Sequence, residues 1–581
     1  MSESTGFFVA DNKIPLKESY VAIPSQNGLS YSAQKLIEFY IPPNIDAFKP
    51  KNSYLQFDLE ISQDSNASTT RLQLDELIGG QVLLDTIRIH SGDKSELLEE
   101  IRHYPVHVAT KYSYHSNPTL RDLRALNEGA GIWTPDARGT RGSSKSMLAN
   151  HKFSPYYEAL TDSDDPTNAS FTNSKYHKCK LKLPLHTGLF QNDKVVPVGL
   201  MNGLFVTILT SENKRVFRQL DSVSYSRRLP LNPLFHSLDG STGSPATWQN
   251  GSDSNKIFIK HDNNNYKVEN FPLVVGEEVG IAKLTSRTEN TLSAAAIIKT
   301  IETSGTGANK YVKVTFNASV TNNGVDITST GNFSLFSKSV LRTTSYSPSY
   351  EISNAELVLN KIDMGDQARA EAQRDMREGK MMVYDFLSTQ VYNHSQLSGD
   401  RVANIGIPAN HQRAKSIICV PTDASVYSTK DSITGEGTYE IHSNSHDSKL
   451  LSSQSGIAGI SDRLTEYFFF YDGRNQPSLN VKTERIGAKD SIDAIPVLEL
   501  DKALAQADMP ALQMSRFQEN FCIGRSMSLN KGVYDMRGKD FRLNVLYQDT
   551  TNAPTKDKLW CNFVYHIRRI NIRADSIQVE V

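Results

Sequence analysis

The sequence predicts an all-β protein made of antiparallel sandwiches or jelly rolls. Apolar and polar residues alternate along one segment after another, Gly, Asn and Ser clusters separate those segments, and helical patterning is confined to short stretches. At 581 residues the chain exceeds one hydrophobic core. Its length allows three or four ordinary domains, or two large β units.

The first strands lie in KLIEFYIPPNIDAFKPKNSYLQFDLEIS, residues 35–62. From Leu55 the odd positions are apolar (Leu55, Phe57, Leu59, Ile61) and the even ones carry Gln56, Asp58 and Glu60, the pattern of a strand with one wet face. Pro42 and Pro43 cannot donate to a ladder, so they sit at a corner between two strands. Cys179, Leu181, Leu183 and Leu185 alternate with lysines in the same way. Residues 203–209 (GLFVTIL) read as a more buried strand, and 351–362 (EISNAELVLNKI) as another. WCNFVYHIRRINI and DSIQVEV close the chain with two further β-rich runs.

Three helices are expected. The first runs from Ser95, as N-cap, to Tyr112, with Pro105 ending or kinking it. The second covers 366–380, is rich in helix formers, closes at Gly379 and has few apolar residues, as a surface connector would. The third covers Leu498 to Ala507. Residues 236–265 are turn-rich and read as exposed loop, followed by short strands to about Asn332, so that 236–345 forms an excursion from the first unit. Residues 441–456 (IHSNSHDSKLLSSQSG) form a smaller one. Both halves combine β-rich stretches, a helix or two and long polar loops, and the helix at 366–380 falls where they would join.

Composition excludes several function classes. Lys plus Arg number 63 and Asp plus Glu 64, a net charge of -1, which gives no global electrostatic case for wrapping nucleic acid. Cys179, Cys419, Cys522 and Cys561 stand far apart, with neither a C-x-x-C pair nor a disulfide framework, and are expected as reduced thiols in a cytosolic or nuclear compartment. No apolar run reaches the roughly 18 residues of a membrane span, and no signal-peptide pattern opens the chain. The sequons at Asn66 and Asn317 are then accidental.

The order of these elements resembles the major capsid proteins of Polinton-like viruses and virophages, part of the double jelly-roll lineage of eukaryotic DNA viruses. The resemblance is carried by KLIEFYIPPNIDAFKPKNSYLQFDLEI with its Ile-Pro-Pro corner, DTIRIHSGDKSELLEEIRHYPVHV, LKLPLHTGLFQNDKVVPVGLMNGLFVTIL, YEISNAELVLNKIDM, YFFFYDGRNQPS and LWCNFVYHIRRINIRADSIQVEV. It spreads over most of the chain apart from 236–345. It implies two tandem eight-stranded jelly rolls with a few short helices and a small inserted β subdomain. The implied division is an N-terminal arm at 1–34, a first roll at 35–365 containing a loop and β tower at 236–345, a connecting helix at 366–380 and a second roll at 381–581. The arm would lie on the inner side of a shell or tie neighbours together. The implied function is a structural one, with no enzyme activity: homotrimeric, pseudo-hexameric capsomers tiling an icosahedral virion shell around double-stranded DNA. Partners would be further copies of the chain, a penton or vertex protein and minor capsid proteins, with no sequence-specific nucleic acid. A tandem β-sandwich that binds a receptor or carbohydrate, such as a virion fibre or lectin-like module, is the alternative.

Sharper chemistry is expected nowhere: no catalytic, cofactor-binding or metal residue is assigned. His103 and His107 follow Glu99 and Glu100 but lack the H-E-x-x-H order and have Pro105 between them, so they read as a solvated helix end. His442, His446 and Asp447 lie in a Ser/Asn-rich run. Residues 139–146 (GTRGSSKS) have Ser144 where a phosphate loop needs Gly before the Lys. His566, beside Tyr565 and Arg568, has no second His at short spacing, and His90 and His186 stand alone at strand ends, so a cupin-like metal site is not expected. No G-x-S-x-G elbow occurs. Arg568, Arg569 and Arg573, with Arg138 and Arg141, are the best basic clusters. Salt bridges at interfaces are their expected use, ahead of contacts to genome phosphates.

Overall fold

The computed structural model describes residues 17–63, 71–75, 77–115, 123–124, 127–130, 156–160, 173–176, 179–216, 218–219, 228–231, 256–260, 278–285, 288–291, 296–304, 311–318, 332–337, 348–363, 365–424, 457, 459, 461, 464–483, 494–511, 520–527, 532–547, 553–554, 557–573 and 576–580. Eight strands build a first roll: β1 (Lys17–Pro24), β2 (Leu36–Ile41), β3 (Ala47–Gln63), β4 (Leu84–Ser91), β5 (Leu97–Ile101), β6 (Cys179–Pro184), β7 (Leu204–Thr210) and β8 (Pro348–Asp363). They form two antiparallel sheets, β1-β8-β3-β6 and β2-β7-β4-β5.

Eight more build the second: β9 (Met382–Gln396), β10 (Val402–Gly406), β11 (Ala414–Asp423), β12 (Glu466–Tyr471), β13 (Arg474–Lys482), β14 (Ile523–Ser526), β15 (Arg542–Leu546) and β16 (Lys558–Ile572). Their sheets are β9-β16-β11-β14 and β10-β15-β12-β13, the first roll's order shifted by eight. In each roll a short extra strand joins the first sheet, Ser30–Tyr31 on β8 and Ile577–Glu580 on β16; eight principal strands in two facing sheets with this crossing order are a jelly roll. The chain is a double jelly roll.

The alternation read from sequence is the alternation seen in space. Leu55, Phe57, Leu59 and Ile61 on β3 are fully buried, while Gln56 faces outward and donates to Glu356 Oε2 at 2.6 Å. On β7, Leu204, Val206 and Ile208 are buried, with half-buried residues between them. Pro43–Ile45 makes a one-turn 3-10 corner between β2 and β3. The corner is docked by Gly199 N–H donating to Asp46 O at 2.7 Å and by paired backbone bonds between Phe48 and Val196. One contiguous set of buried apolar side chains runs through both rolls.

Several expectations need correction. The stretch from Ser95 is not helical: Leu97–Ile101 is β5, and Ser95 sits in the β4–β5 turn, where its N–H and Oγ both donate to Asp93 Oδ1. The helix is α1 (Tyr104–Tyr114), with Pro105 in its first turn. A proline there costs no intrahelical bond, so Pro105 starts the helix that it was expected to end. Lys256–Lys260 is a strand inside the span read as loop, a reading that passed over the alternating Ile257 and Ile259. It belongs to a seven-stranded sheet of 228–231, 332–337, 278–285, 296–304, 311–316 and 256–260, with 288–291 paired to 278–285. Within 1–34, residues Lys17–Pro24 form an edge strand of the first roll, paired with β8 from Lys17↔Asp363 to Pro24↔Glu356.

Helix α2 (Gly365–Arg377) joins β8 to β9. Gly379 ends it in the left-handed region (φ +78°), and its N–H and that of Lys380 bond back to Met376 O and Asp375 O. Arg369 pairs with Asp46 at 3.1 Å, tying the connector to the first roll's corner. The third helix, α3 (Ala494–Gln506), packs Leu500 beside Gly524 of β14, where a Cβ would meet the helix at 2.8 Å.

Phe57 and Gln56 test the face assignment of β3. Phe57→Ala is expected to cost about 3–5 kcal/mol in chemical denaturation, and Gln56→Ala about 1 kcal/mol or less. Similar costs for the two would refute the wet-face/core-face reading.

Candidate assembly site: the seam between the rolls

A group of buried polar contacts lies where the rolls meet. Its centre is Glu99, fully buried on β5. Glu99 Oε1 accepts from Gly188 N–H (2.8 Å) and Ser388 Oγ (3.1 Å), and Oε2 accepts from Leu189 N–H (2.9 Å). The carboxyl thus holds a first-roll loop and the second roll's β9 at once. Burial pushes its pKa up, while the hydrogen bonds and the nearby Arg568 pull the other way. Gly188 is required by the same close approach, since a Cβ there would overlap Leu387 O.

Around this centre the seam continues on both sides. Arg568 Nη2 donates to Leu97 O at 2.8 Å. Asn192 Nδ2 and Lys194 Nζ donate to Asp385 O (3.2 and 3.3 Å), and Tyr384 Oη donates to Lys194 O (3.2 Å). From α1, the His107 ring lies 5.5 Å from that of Phe563, and its Nδ1 is 3.2 Å from Tyr565 Oη. At the helix's far end Tyr114 Oη donates to Asn520 O, Asn520 Nδ2 donates to Ser113 Oγ (3.0 Å), and His115 Nδ1 donates to Pro510 O (2.8 Å).

The sequence-selected residues fall in unexpected places. His107 is buried in the seam, and burial drives its pKa down to about 3, so the solvated helix end is overturned. His103 lies before the helix, its Nε2 2.7 Å from Asn393 Nδ2. His566 has a partner after all: its ring stacks on His411 at 3.7 Å, with His411 Nε2 2.9 Å from Tyr392 Oη. The second histidine arrives from a distant loop, which spacing along the chain cannot reveal. His186 joins a buried cluster in the first roll, where Tyr112 Oη is 2.6 Å from His186 Nε2 and 2.9 Å from Glu128 Oε2. Arg124 lies over the Tyr112 ring at 3.8 Å, and Gln81 bonds both Glu128 and Tyr104. His90, at the end of β4, is half-buried.

Arg569 forms a two-pronged salt bridge with Asp385 (2.8 and 2.9 Å), and Arg573 points its Nη2 at Met381 Sδ. Cys419, Cys522 and Cys561 are buried thiols and Cys179 is partly buried, and desolvation pushes Cys522 and Cys561 up to about 12. His442, His446, Asp447, Arg138, Arg141 and 139–146 lie outside the described residues. Among the described residues no three His, Cys, Asp or Glu side chains gather as metal ligands, and no helix is long and apolar enough to cross a membrane.

No protein-family model matches the sequence, and no curated protein matches it either. Solved structures do match. The Faustovirus major capsid protein aligns over 96% of this chain and 91% of its own, with TM-score 0.45 and 9% identity. A chain of the Sputnik virophage structure aligns over 100% and 91%, with TM-score 0.45 and 9% identity. A chain of the PBCV-1 virus capsid aligns over 99% and 98%, with TM-score 0.44 and 8% identity. The double-roll assignment rests on the strand order described above, independently of these alignments.

Two measurements follow from the buried groups. Glu99→Ala leaves three donors without an acceptor and is expected to cost about 1–3 kcal/mol per orphaned group, read as a lowered denaturation midpoint.

The second is the pH profile of stability. His107 (about 3), His411 (about 4), His186 and His566 (both well below 6.5) are held neutral by burial, and His90, His103 and His394 are lowered too. Below pH 6.5 the unfolded chain takes up protons that these folded imidazoles refuse, so stability falls with pH. Glu128, raised to about 7 by burial, and Glu99 act oppositely from pH 7 down to 4.5, where the folded carboxyls hold protons and the unfolded ones do not. The imidazoles outnumber the carboxyls, so the melting temperature is expected to drop between pH 6.5 and 4.5. A flat or rising profile across that window contradicts the buried-neutral assignment.

Proposed function

We propose that the chain is a major capsid protein of the Polinton-like virus and virophage kind, whose three-fold assembly presents six rolls as a six-sided tile of an icosahedral virion shell around double-stranded DNA. The observation that carries this reading is the duplication itself: two rolls of identical strand order, held side by side by a buried seam in one chain. A ligand-binding sandwich needs one roll and a pocket. A tile needs a rigid wedge, repeated, with fixed relative placement, and closed symmetry then turns one contact into many.

On this reading function is shape. The part of the chain at 236–345 is the candidate outward tower, and residues 1–16, before β1, are the candidate inner arm. The partners are further copies of the chain, with vertex and minor capsid proteins at the positions a flat tile cannot fill. The buried polar groups serve placement of the rolls and no turnover.

Light scattering after size exclusion tests the proposal. A particle of three times the 64.7 kDa chain mass, with six-sided outlines in negative-stain electron micrographs, is the expected result. A monomer at every concentration tested overturns it, and glycan binding by that monomer would favour a carbohydrate-binding module.

A further inference from the structure

Strand β16 carries buried imidazole contacts on both of its faces. Tyr565 and His566 are neighbours and project from opposite sides of the strand. On the first side His107 of α1 meets Tyr565 Oη at 3.2 Å and packs near Phe563. On the second side His566 stacks on His411 at 3.7 Å. Two residues on, Arg568 reaches across to Leu97 O on the first roll. None of this is needed for a roll to close, since an aromatic or aliphatic side chain would fill the same volume.

We propose that the seam is an acid-operated latch: protonation of His107 in the seam, and of the second roll's His411–His566 pair beside the seam residue Arg568, loosens the first roll from the second while each roll keeps its own sheets.

Burial and the neighbouring cations make the added proton costly, while hydrogen bonds to the His186 backbone and the Val564 carbonyl favour it at His107 and His566. His107 faces Lys111 on its own helix, the His186 backbone and ring, and the Tyr565 hydroxyl. Lys111 is itself half-buried, with Gln191 Oε1 at 3.2 Å and the charges of Asp508 and Lys51 nearby. His411 faces the Tyr392 hydroxyl from β9, and His566 and Arg568 from β16. His566 faces His411, the Val564 carbonyl at 3.3 Å and Arg568. Arg568 faces Leu97 O and the charges of Glu96 and Glu99.

A cation on any of the three imidazoles meets a neighbouring cation or a second imidazole, and the carboxylates nearby, Glu96, Glu99 and Asp508, act on Arg568 and Lys111. Admitting water at the seam relieves that cost. The seam opens more readily than the sheets because it is closed by side-chain contacts, whereas each roll is closed by continuous backbone ladders.

Amide hydrogen exchange read by mass spectrometry on the full chain, at about pH 7.5 and about pH 5 with the rates corrected for pH, tests the latch. The wild type is expected to lose protection several-fold at the lower pH in peptides covering 104–114. Peptides of β3 and β7 should keep theirs. A variant combining His107→Gln, His411→Phe and His566→Phe is expected to keep seam protection at both pH values. Unchanged protection of 104–114 in the wild type, loss in all peptides together, or loss in the variant equal to the wild type overturns the proposal.

Should the variant fail to fold, exchange at the histidine C2 carbons of the wild type decides. Titration of His107, His411 and His566 in step with opening of 104–114 supports the latch, and titration without opening overturns it.

Discussion

Strand β16 has to be dry on both faces. It pairs with β9 along its whole length, from Lys558↔Gln396 to Ile572↔Met382, with β11 on its other edge, and with the C-terminal strand Ile577–Glu580 beyond it. Residues Trp560 to His566 are buried without a break, because one face fills the second roll and the other meets the first roll's helix. A strand in that position can carry a polar group only where a partner is waiting. Trp560 Nε1 finds Gln396 Oε1, Asn562 Nδ2 finds Tyr392 O, and Tyr565 finds His107. Of the three, Tyr565–His107 crosses to the first roll and bears on the relative placement of the rolls.

Polar pairing of this kind is a poor source of stability, since desolvating the groups offsets most of what their bonds return. It is a good source of position. The Glu99 carboxyl accepts from two successive backbone N–H groups and one hydroxyl, so a shift of β9 by one residue would turn the Ser388 hydroxyl to the other face of its strand and leave one lone pair of the carboxyl without its donor. The apolar core extends through both rolls and would tolerate many small displacements; the seam's hydrogen bonds select one. Exposed ion pairs such as Lys51–Asp193 add little to this selection, because water and salt screen them.

The strands with one wet face were legible in the sequence. On β3, β6 and β8, solvent on the outer face imposes a period of two that Gln56, Lys180, Lys182 and Glu356 display directly. Such patterning says nothing of a face covered by another roll. The run WCNFVYH lost its alternation because both sides are buried, and Glu99 was hidden by reading LLEEI as the first turn of a helix. Read as a strand, Glu99 shares a face with Ile101, and a carboxylate in that phase is the signal that could have marked the seam. The His411–His566 stack and the Glu128–Tyr112–His186 cluster join residues brought together only by the fold, so no spacing along the chain announces them. Pro105 shows the ambiguity of single residues: the same ring that breaks a helix interior is at home in its first turn.

Helix α2, anchored by Arg369 to Asp46, makes the meeting of the two rolls an intramolecular event. A short tether holds its ends at an effective concentration on the order of millimolar, so the rolls would stay docked even with an affinity too weak to hold two separate proteins together. The interface is thereby released from the usual demand for a large greasy patch. It can be built from carboxyl, imidazole and amide groups that respond to their surroundings, because the covalent leash, and not the strength of the contact, keeps the partners within reach.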